Sequence, residues 1–127
     1  MERKDILQRK RDFVAKYAQY WNVPLIPNEQ LQELLSRAQN GDAEAEDNIV
    51  RSKMRFVVSV AKNYSDKGLN DEELVEAGKK GLLIAIRKYD RSRCFMFIAY
   101  AVWYVRRSIL QAIEDKSKIM IDEHTNP

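Results

Sequence analysis

Apolar side chains recur every three or four positions along most of this chain, with polar residues between them. This is the spacing of one face of an α-helix, whereas a half-buried strand would alternate at every second residue. No segment shows that alternation, and no repeat or low-complexity segment is present. We therefore predict an all-α fold, a single compact domain of about five helices. The predicted helices span residues 5–21, 28–39, 42–68, 70–89 and 95–117.

Residues suited to starting and ending helices stand at the boundaries of these segments. Asn28, Asp42 and Asn70 each place a side-chain oxygen where it can cap the first turn of a helix. Glu73 follows Asn70 by three residues, as a capping box requires. Gly41 provides the left-handed residue that often ends a helix. The predicted boundaries therefore rest on local chemistry as well as on periodicity.

The last predicted helix is unusual because two of its faces carry large side chains. One face is aliphatic and consists of Ile98, Val102, Val105, Ile109 and Ile113. The opposite face carries Tyr100, Trp103, Tyr104 and Arg107. Aromatic rings interleaved with guanidinium groups suit stacking on nucleic-acid bases while holding phosphates. A helix buried on both sides would use the same residues as core, and spacing alone leaves both interpretations open.

Charge is distributed unevenly along the chain, although the net charge is only +3. Residues 87–107 carry a net charge of +5, whereas residues 41–76 carry −4. A basic patch beside an aromatic face is the electrostatic pattern expected of a nucleic-acid-binding surface. An ordinary solvated surface with salt bridges is the alternative, and it would usually mix the two signs more evenly.

Composition disfavours several functional classes. The single cysteine, Cys94, excludes an internal disulfide, and the single histidine, His124, leaves no cluster of metal ligands. No apolar segment is long enough to span a membrane, and the N-terminus does not resemble a signal peptide. We expect a cytoplasmic protein that is not an enzyme, without metal or cofactor, and with neither a membrane nor a small-molecule substrate as a partner.

The predicted helix at 70–89 has an inward stripe that faces the core and consists of Leu74, Gly78, Leu82, Ala85 and Tyr89. It also carries two further features. Leu83 is an apolar residue within the charged outer face of this helix. It is either an ordinary exposed leucine or part of a surface that binds a protein partner. Gly78 and Gly81 enclose two lysines and match the Gly-x-x-Gly of KH-type RNA-binding domains. No strands of a KH domain are predicted, so RNA binding of that type is a minor alternative.

Three segments resemble region 2 of primary-type bacterial RNA polymerase sigma factors, in the version seen in Bacteroidetes. They are residues 56–64 (FVVSVAKNY), 74–82 (LVEAGKKGL) and 93–112 (RCFMFIAYAVWYVRRSILQA). The third is the most specific, because tyrosine, tryptophan and arginine recur there at the family's spacing. Residues 28–45 resemble the preceding region 1.2 helix. The chain then divides into an amphipathic helix with a proline-containing linker (1–27), a region 1.2/2-like helical domain (28–118) and a C-terminal tail (119–127).

The resemblance implies binding to the minus-ten promoter element as single-stranded non-template DNA, with one adenine flipped into a pocket. The implied DNA-binding residues are Arg93, Phe95, Phe97, Tyr100, Trp103, Tyr104, Arg106 and Arg107. The first four would line the pocket for the flipped base. Trp103 and Tyr104 would form a wedge at the upstream edge of the bubble. Arg106 would hold a phosphate, and Arg107 would face the edge of the upstream duplex.

The resemblance also implies a protein partner, the clamp helices of the beta-prime subunit of core RNA polymerase. The implied polymerase-binding residues are Glu73, Glu76, Lys79 and Leu83. Several positions depart from the family pattern. Among them, tryptophan, glutamine and asparagine are usual where this chain has Tyr104, Arg107 and Lys79.

The sequence given ends at Pro127 and does not include segments that resemble regions 3 and 4 of the sigma-factor family. We therefore expect either a fragment of a longer sigma factor or a stand-alone domain. The main alternative function is a diverged sigma-like interaction protein that binds polymerase or another partner without supporting initiation.

Overall fold

The computed structural model describes residues 3–93 and 96–125, without the side chains of Lys4, Arg93 and residues 120–125. Within these residues the chain forms five α-helices and no β-strand, which confirms the predicted all-α class. The helices are α1 (Arg3–Ala15), α2 (Asn28–Gln39), α3 (Ala43–Ala61), α4 (Asp71–Lys88) and α5 (Phe97–Thr125). Short 3-10 turns lie at Ala18–Asn22, Lys62–Tyr64 and Arg91–Arg93.

Most of the predicted helix boundaries are present, but the helix predicted at 42–68 ends at Ala61 and is followed by the 3-10 turn at Lys62–Tyr64. Asp42 caps α3 by accepting the Ala45 backbone N–H at 3.0 Å, and this hydrogen bond, followed by that from Arg37, lowers the pKa of the Asp42 carboxyl. The predicted capping box at the start of α4 is also formed, with bonds of 2.8 and 3.0 Å between Asn70 and Glu73. Gly41 adopts the predicted left-handed conformation, with a φ of 97°.

The predicted cap of α2 is wrong. Asn28 is the first helical residue, and Pro27 occupies the capping position without a side-chain hydrogen bond. The φ of Pro27 is −58°, which the ring imposes, and its carbonyl accepts the Leu31 N–H at 2.9 Å. The ring therefore directs the chain into the helix without a side-chain cap.

The two ends of the chain differ from the sequence prediction in extent. The helix predicted at 5–21 ends at Ala15 and is followed by the 3-10 turn at Ala18–Asn22. Phe13 anchors α1, because it is only 1% exposed and belongs to the core. An ion pair between Lys16 and Asp71 connects this segment to the start of α4. At the other end α5 continues to Thr125, so the predicted tail at 119–127 is helical through that residue.

The core lies where α3, α4 and α5 meet, and the contact between α4 and α5 is the most extensive of any helix pair. The inward residues predicted for α4 are all buried, namely Leu74, Gly78, Leu82, Ala85 and Tyr89. On α5 the buried stripe consists of Phe97, Ala101, Val105 and Ile109. The aliphatic stripe predicted for α5 is therefore correct only at Val105 and Ile109, and the other three predicted members are half-buried.

Gly78 and Gly81 lie where α4 crosses its neighbours, and both are buried. A β-carbon on Gly81 would lie 2.7 Å from the Tyr104 carbonyl carbon and from Val105 Cα, and closer still to the Tyr104 carbonyl oxygen. A β-carbon on Gly78 would meet only side chains, with Val57 Cγ1 nearest at 2.7 Å. The Gly-x-x-Gly segment therefore permits close helix packing. This role and the absence of strands among the described residues remove the basis for a KH-like interpretation.

Lys53 is a cation placed at the edge of the core. It lies on α3 with only 9% of its surface exposed, and no carboxylate pairs with it among the residues described. Burial, and secondarily the nearby Arg55, lowers the pKa of the Lys53 ammonium. The fold therefore disfavours the charged form of this side chain.

Replacing Lys53 with methionine is expected to raise the free energy of unfolding at neutral pH by about 1 kcal/mol, because an unpaired, poorly hydrated charge is removed while the buried stem is kept. Because the folded-state pKa lies below the unfolded value of 10.5, the penalty is fully present at neutral pH and decreases as the pH approaches 10.5. Urea unfolding at several pH values would measure the difference, with exposed Arg51→Met as the control. A less stable Lys53→Met protein would contradict the prediction.

Candidate nucleic-acid interface

Trp103, Arg106 and Arg107 form an exposed cluster on the outer side of α5. Their spacing of three and four residues places them on one face of the helix. Trp103 is 54% exposed, and the guanidinium carbon of Arg107 lies 4.9 Å from the centroid of its ring. The cluster borders an open groove of about 580 Å³, to which Val102 and Leu110 contribute. One surface thus combines an aromatic ring, two cations and an apolar floor.

Tyr100 and Tyr104 form a second layer behind this cluster, and both are half-buried. Their ring centroids are 5.0 Å apart, and their hydroxyl oxygens lie 3.0 Å apart. The Tyr100 hydroxyl also donates to the carbonyl oxygen of Lys88 at 3.2 Å. Tyr104 in turn contacts Trp103 with perpendicular rings and a centroid distance of 4.9 Å. The predicted aromatic face is therefore layered, with Trp103 outermost and the tyrosines supporting it.

The remaining residues predicted to contact DNA differ in position. Phe97 is only 3% exposed and packs edge-on against Tyr89, with ring centroids 5.3 Å apart. In this conformation it supports the aromatic layer and offers no surface to a base. Phe95 and the Arg93 side chain lie outside the described residues. The structure thus brings together Tyr100, Trp103, Tyr104, Arg106 and Arg107, and their contact with DNA stays a prediction.

The predicted polymerase-binding residues occupy the outer side of α4. Glu76 is exposed, whereas Lys79 and Leu83 are half-buried. Glu73 is already engaged within the chain, because its Oε1 atom accepts both the Asn70 backbone N–H at 3.0 Å and the Lys116 ammonium at 2.9 Å. These two partners, the backbone bond first, lower the pKa of the Glu73 carboxyl. Glu73 thus has a structural role at the α4 terminus, and polymerase contact by all four residues stays a prediction.

Sequence reasoning gave no functional role to several residues around the aromatic layer. Gln39, the last residue of α2, donates hydrogen bonds to the carbonyl oxygens of Ile86 and Tyr89. Tyr89 was predicted only as a core residue, yet its ring contacts both Phe97 and Tyr100. Leu110 is 52% exposed beside the cationic cluster and was not singled out. The sequence offered one local signal for Leu110, which is an apolar residue on the helix face predicted to bind nucleic acid.

Two further features of the described residues bear on function. Their helices include none that is both long and apolar enough to cross a lipid bilayer. Their acidic, histidine and cysteine side chains nowhere gather in a group of three or more that could hold a metal ion.

Comparison with known proteins identifies what the chain is similar to. The family model described as Sigma-70 region 2 matches residues 49–119. The RNA polymerase sigma factor SigA of Bacillus sp. is 38% identical over 96 residues, which is 76% of this chain and 26% of that protein. The sigma factor RpoS of Coxiella burnetii is 35% identical over 95 residues, covering 75% of this chain and 27% of that protein.

A third relative extends the comparison. The sigma factor SigA of Synechocystis sp. is 40% identical over 77 residues, or 61% of this chain and 18% of that protein. The chain thus spans about a quarter or less of the length of the curated relatives it matches.

Proposed function

The chain belongs to the sigma-70 region 2 family, and we propose that it acts as a transcription initiation module that binds the melted minus-ten promoter element while docked on core RNA polymerase. The relatives named above are RNA polymerase sigma factors, which supports a polymerase partner for this chain as well. The proposed role requires no chemistry by the chain itself. It places the protein in the cytoplasm, where bacterial promoters are transcribed.

The observation that carries the proposal is the exposed Trp103 beside Arg106 and Arg107. Within an intact duplex both faces of each base are stacked on neighbours, whereas melting frees base faces that an exposed indole ring can cover. Each such stack contributes about 1–3 kcal/mol, which helps to offset the few kcal/mol required to unstack and flip a base. The two guanidinium groups provide charge for the flanking phosphates. These properties favour melted over duplex DNA.

A binding measurement tests the DNA part of this proposal. We expect a fluorescent, A/T-rich single strand to bind more tightly than its duplex and more tightly than a scrambled single strand. If Arg106 and Arg107 contact two phosphates, the logarithm of affinity should fall with the logarithm of salt concentration with a slope of about −1.4. Fluorescence anisotropy at several salt concentrations would measure both effects. Equal binding to single strand and duplex would count against the proposed site.

The polymerase part of the proposal assigns the outer side of α4 to the beta-prime clamp helices. Exposed Glu76 would supply charge complementarity, and half-buried Leu83 would supply apolar contact. We expect Glu76→Lys combined with Leu83→Ala to abolish co-purification with core polymerase. Glu33→Lys on the exposed side of α2 is the matched charge-reversal control, and circular dichroism would verify folding. Core binding retained by the folded double variant would move the interface elsewhere.

The second candidate function is a sigma-like interaction protein that occupies polymerase without supporting initiation. One observation favours it. Glu73 is bound by its own helix terminus and by Lys116, so one predicted acidic contact is already engaged. In vitro transcription with core enzyme separates the two candidates, because start-site-specific transcripts would be produced only under the first.

A further inference from the structure

The C-terminal end of α4 is held by side chains from two other helices. The final carbonyl groups of a helix have no partner within it and need donors from elsewhere. Here Tyr89 follows the helix in an extended conformation, with φ of −62° and ψ of 125°, so the chain turns away from the helix at this residue. The Tyr89 backbone N–H donates to the Ala85 carbonyl oxygen. The Tyr100 hydroxyl of α5 donates to the carbonyl oxygen of Lys88.

Gln39 supplies two further hydrogen bonds from the end of α2. Its Nε2 atom donates to the carbonyl oxygen of Ile86 at 3.0 Å and to that of Tyr89 at 2.7 Å. Both hydrogen atoms of one amide group are thereby used, on acceptors 47 and 50 residues away in sequence. Gln39 therefore fixes the backbone at the point where the chain leaves α4.

Tyr89 transmits this constraint to the aromatic layer. Its ring is 5% exposed and packs against Phe97 at 5.3 Å and Tyr100 at 5.5 Å between centroids. Tyr100 contacts Tyr104, and Tyr104 contacts Trp103. An unbroken series of ring contacts thus leads from the residue that Gln39 holds to the exposed indole ring.

We propose that Gln39 is a positioning residue for the base-stacking face, acting through Tyr89 and without touching DNA. The inference rests on the proposed DNA-binding function. If the Gln39 amide is removed, the carbonyl groups of Ile86 and Tyr89 lose this donor, and the Tyr89 backbone loses its hydrogen bond to α2. Phe97 and Tyr100 then lose a fixed support, and the stacking surface that they carry can shift. A surface displaced by about 1 Å binds a strand with a base at the stacking position little better than one with an abasic site there.

The test compares an A/T-rich single strand with versions in which each adenine in turn is replaced by an abasic site. The readout is the Kd of the weakest abasic version divided by the Kd of the parent strand. Partial unfolding would weaken both affinities equally and leave this ratio unchanged. We expect Gln39→Met to lower the ratio by about fivefold, since two hydrogen bonds at a partly buried site are lost.

Two matched variants complete the design. Gln30→Met changes an exposed glutamine near the start of the same helix and should leave the ratio unchanged. Gln39→Lys restores a long side chain with N–H donors, which suit the C-terminal end of a helix, and should recover the ratio. Should Gln39→Met fail to fold, Tyr89→Leu takes its place, because it removes the supporting ring but keeps the backbone acceptor. It is expected to lower the ratio as well.

The outcomes separate the two levels of inference. A ratio near one for the unmodified chain would overturn the proposed base stacking, and the role of Gln39 with it. A high ratio that Gln39→Met and Tyr89→Leu leave unchanged would overturn the role of Gln39 alone. If Gln39→Lys lowers the Kd ratio as much as Gln39→Met does, an N–H donor at position 39 is not what positions the stacking face, and the proposal is refuted. Loss in Gln39→Met with recovery in Gln39→Lys would establish the positioning role.

Discussion

Replacing Gly81 with alanine is expected to destabilise the fold by about 3 kcal/mol, near the upper end of the range for overpacking. The added β-carbon would meet the backbone of α5 at Tyr104 and Val105, at 2.7 Å or less. Backbone atoms of a packed helix cannot rotate away as a side-chain terminus can. The helices must therefore separate, although alanine itself favours helix formation by about 1 kcal/mol over glycine.

Gly78→Ala is the matched control for this prediction. Its β-carbon would meet only side chains, among them Cγ1 of the fully buried Val57 at 2.7 Å, so a side chain and not a helix backbone must move. The gain in helix propensity offsets part of the cost of moving this stiff side chain, so we expect a destabilisation of about 1–2 kcal/mol, smaller than that of Gly81→Ala. Chemical denaturation of both variants would measure the difference. Similar stabilities for Gly81→Ala and Gly78→Ala would contradict a backbone contact at Gly81.

Replacing Trp103 with alanine is expected to weaken binding to the melted minus-ten strand by about 1–3 kcal/mol, which corresponds to about 5- to 150-fold in Kd. The indole ring is 54% exposed and lies outermost in the aromatic layer, so its removal eliminates the platform while leaving the core intact. Arg107 would also lose the ring over which its guanidinium lies. Salt dependence should persist, because both arginines remain available to phosphates.

Trp21→Ala provides the control, because Trp21 is the other tryptophan of the chain and is 39% exposed on the 3-10 turn at Ala18–Asn22. It should bind the same oligonucleotide with unchanged affinity. Fluorescence anisotropy with both variants would decide the matter, once thermal unfolding has shown that each is folded. If Trp103→Ala binds normally, or if Trp21→Ala loses as much affinity, Trp103 is not the stacking platform.

Features that depend on neighbouring residues could be predicted from the sequence. The capping box of Asn70 and Glu73, the cap at Asp42 and the left-handed Gly41 each involve groups only a few positions apart. The exposed position of Trp103 also follows from helical spacing once Val105 and Ile109 face inward. Local chemistry thus determined most of the helix boundaries and the orientation of the outer α5 surface.

The rotation of α5 about its axis could not be predicted in the same way. Five β-branched residues suggested an inward stripe, yet Phe97 and Ala101 are buried in place of Ile98 and Val102. The cause is not local, because Gly81 on α4 allows the α5 backbone to approach at Tyr104 and Val105. That contact turns the small Ala101 toward the core and seats Phe97 against Tyr89. A pattern within one helix contains no information on where its neighbour has a glycine.

The exposed residues of the candidate site could be predicted from the sequence, whereas the buried and distant residues that hold them could not. Aromatic and basic side chains on one helix face are visible in the sequence, and family resemblance added residues by motif position. Gln39 gave no such signal, because a glutamine at the end of a predicted helix is ordinary and its acceptors are 47 and 50 residues away. Glu73 fitted two roles, and only the structure shows that Lys116 and the helix terminus engage it.

Side chains of α2 and α5 hold the C-terminal end of α4, and this affects the smallest piece of the chain that can fold cooperatively. The segment that matches the family model begins at residue 49, inside α3 and after Gln39. A protein trimmed to that boundary would lose the first turns of α3, the Gln39 amide and the buried side chains of Phe13, Leu31, Leu34 and Leu35. The family model therefore delimits only its own segment, whereas the side chains buried in the core require a folding unit that extends back through α2 and into α1.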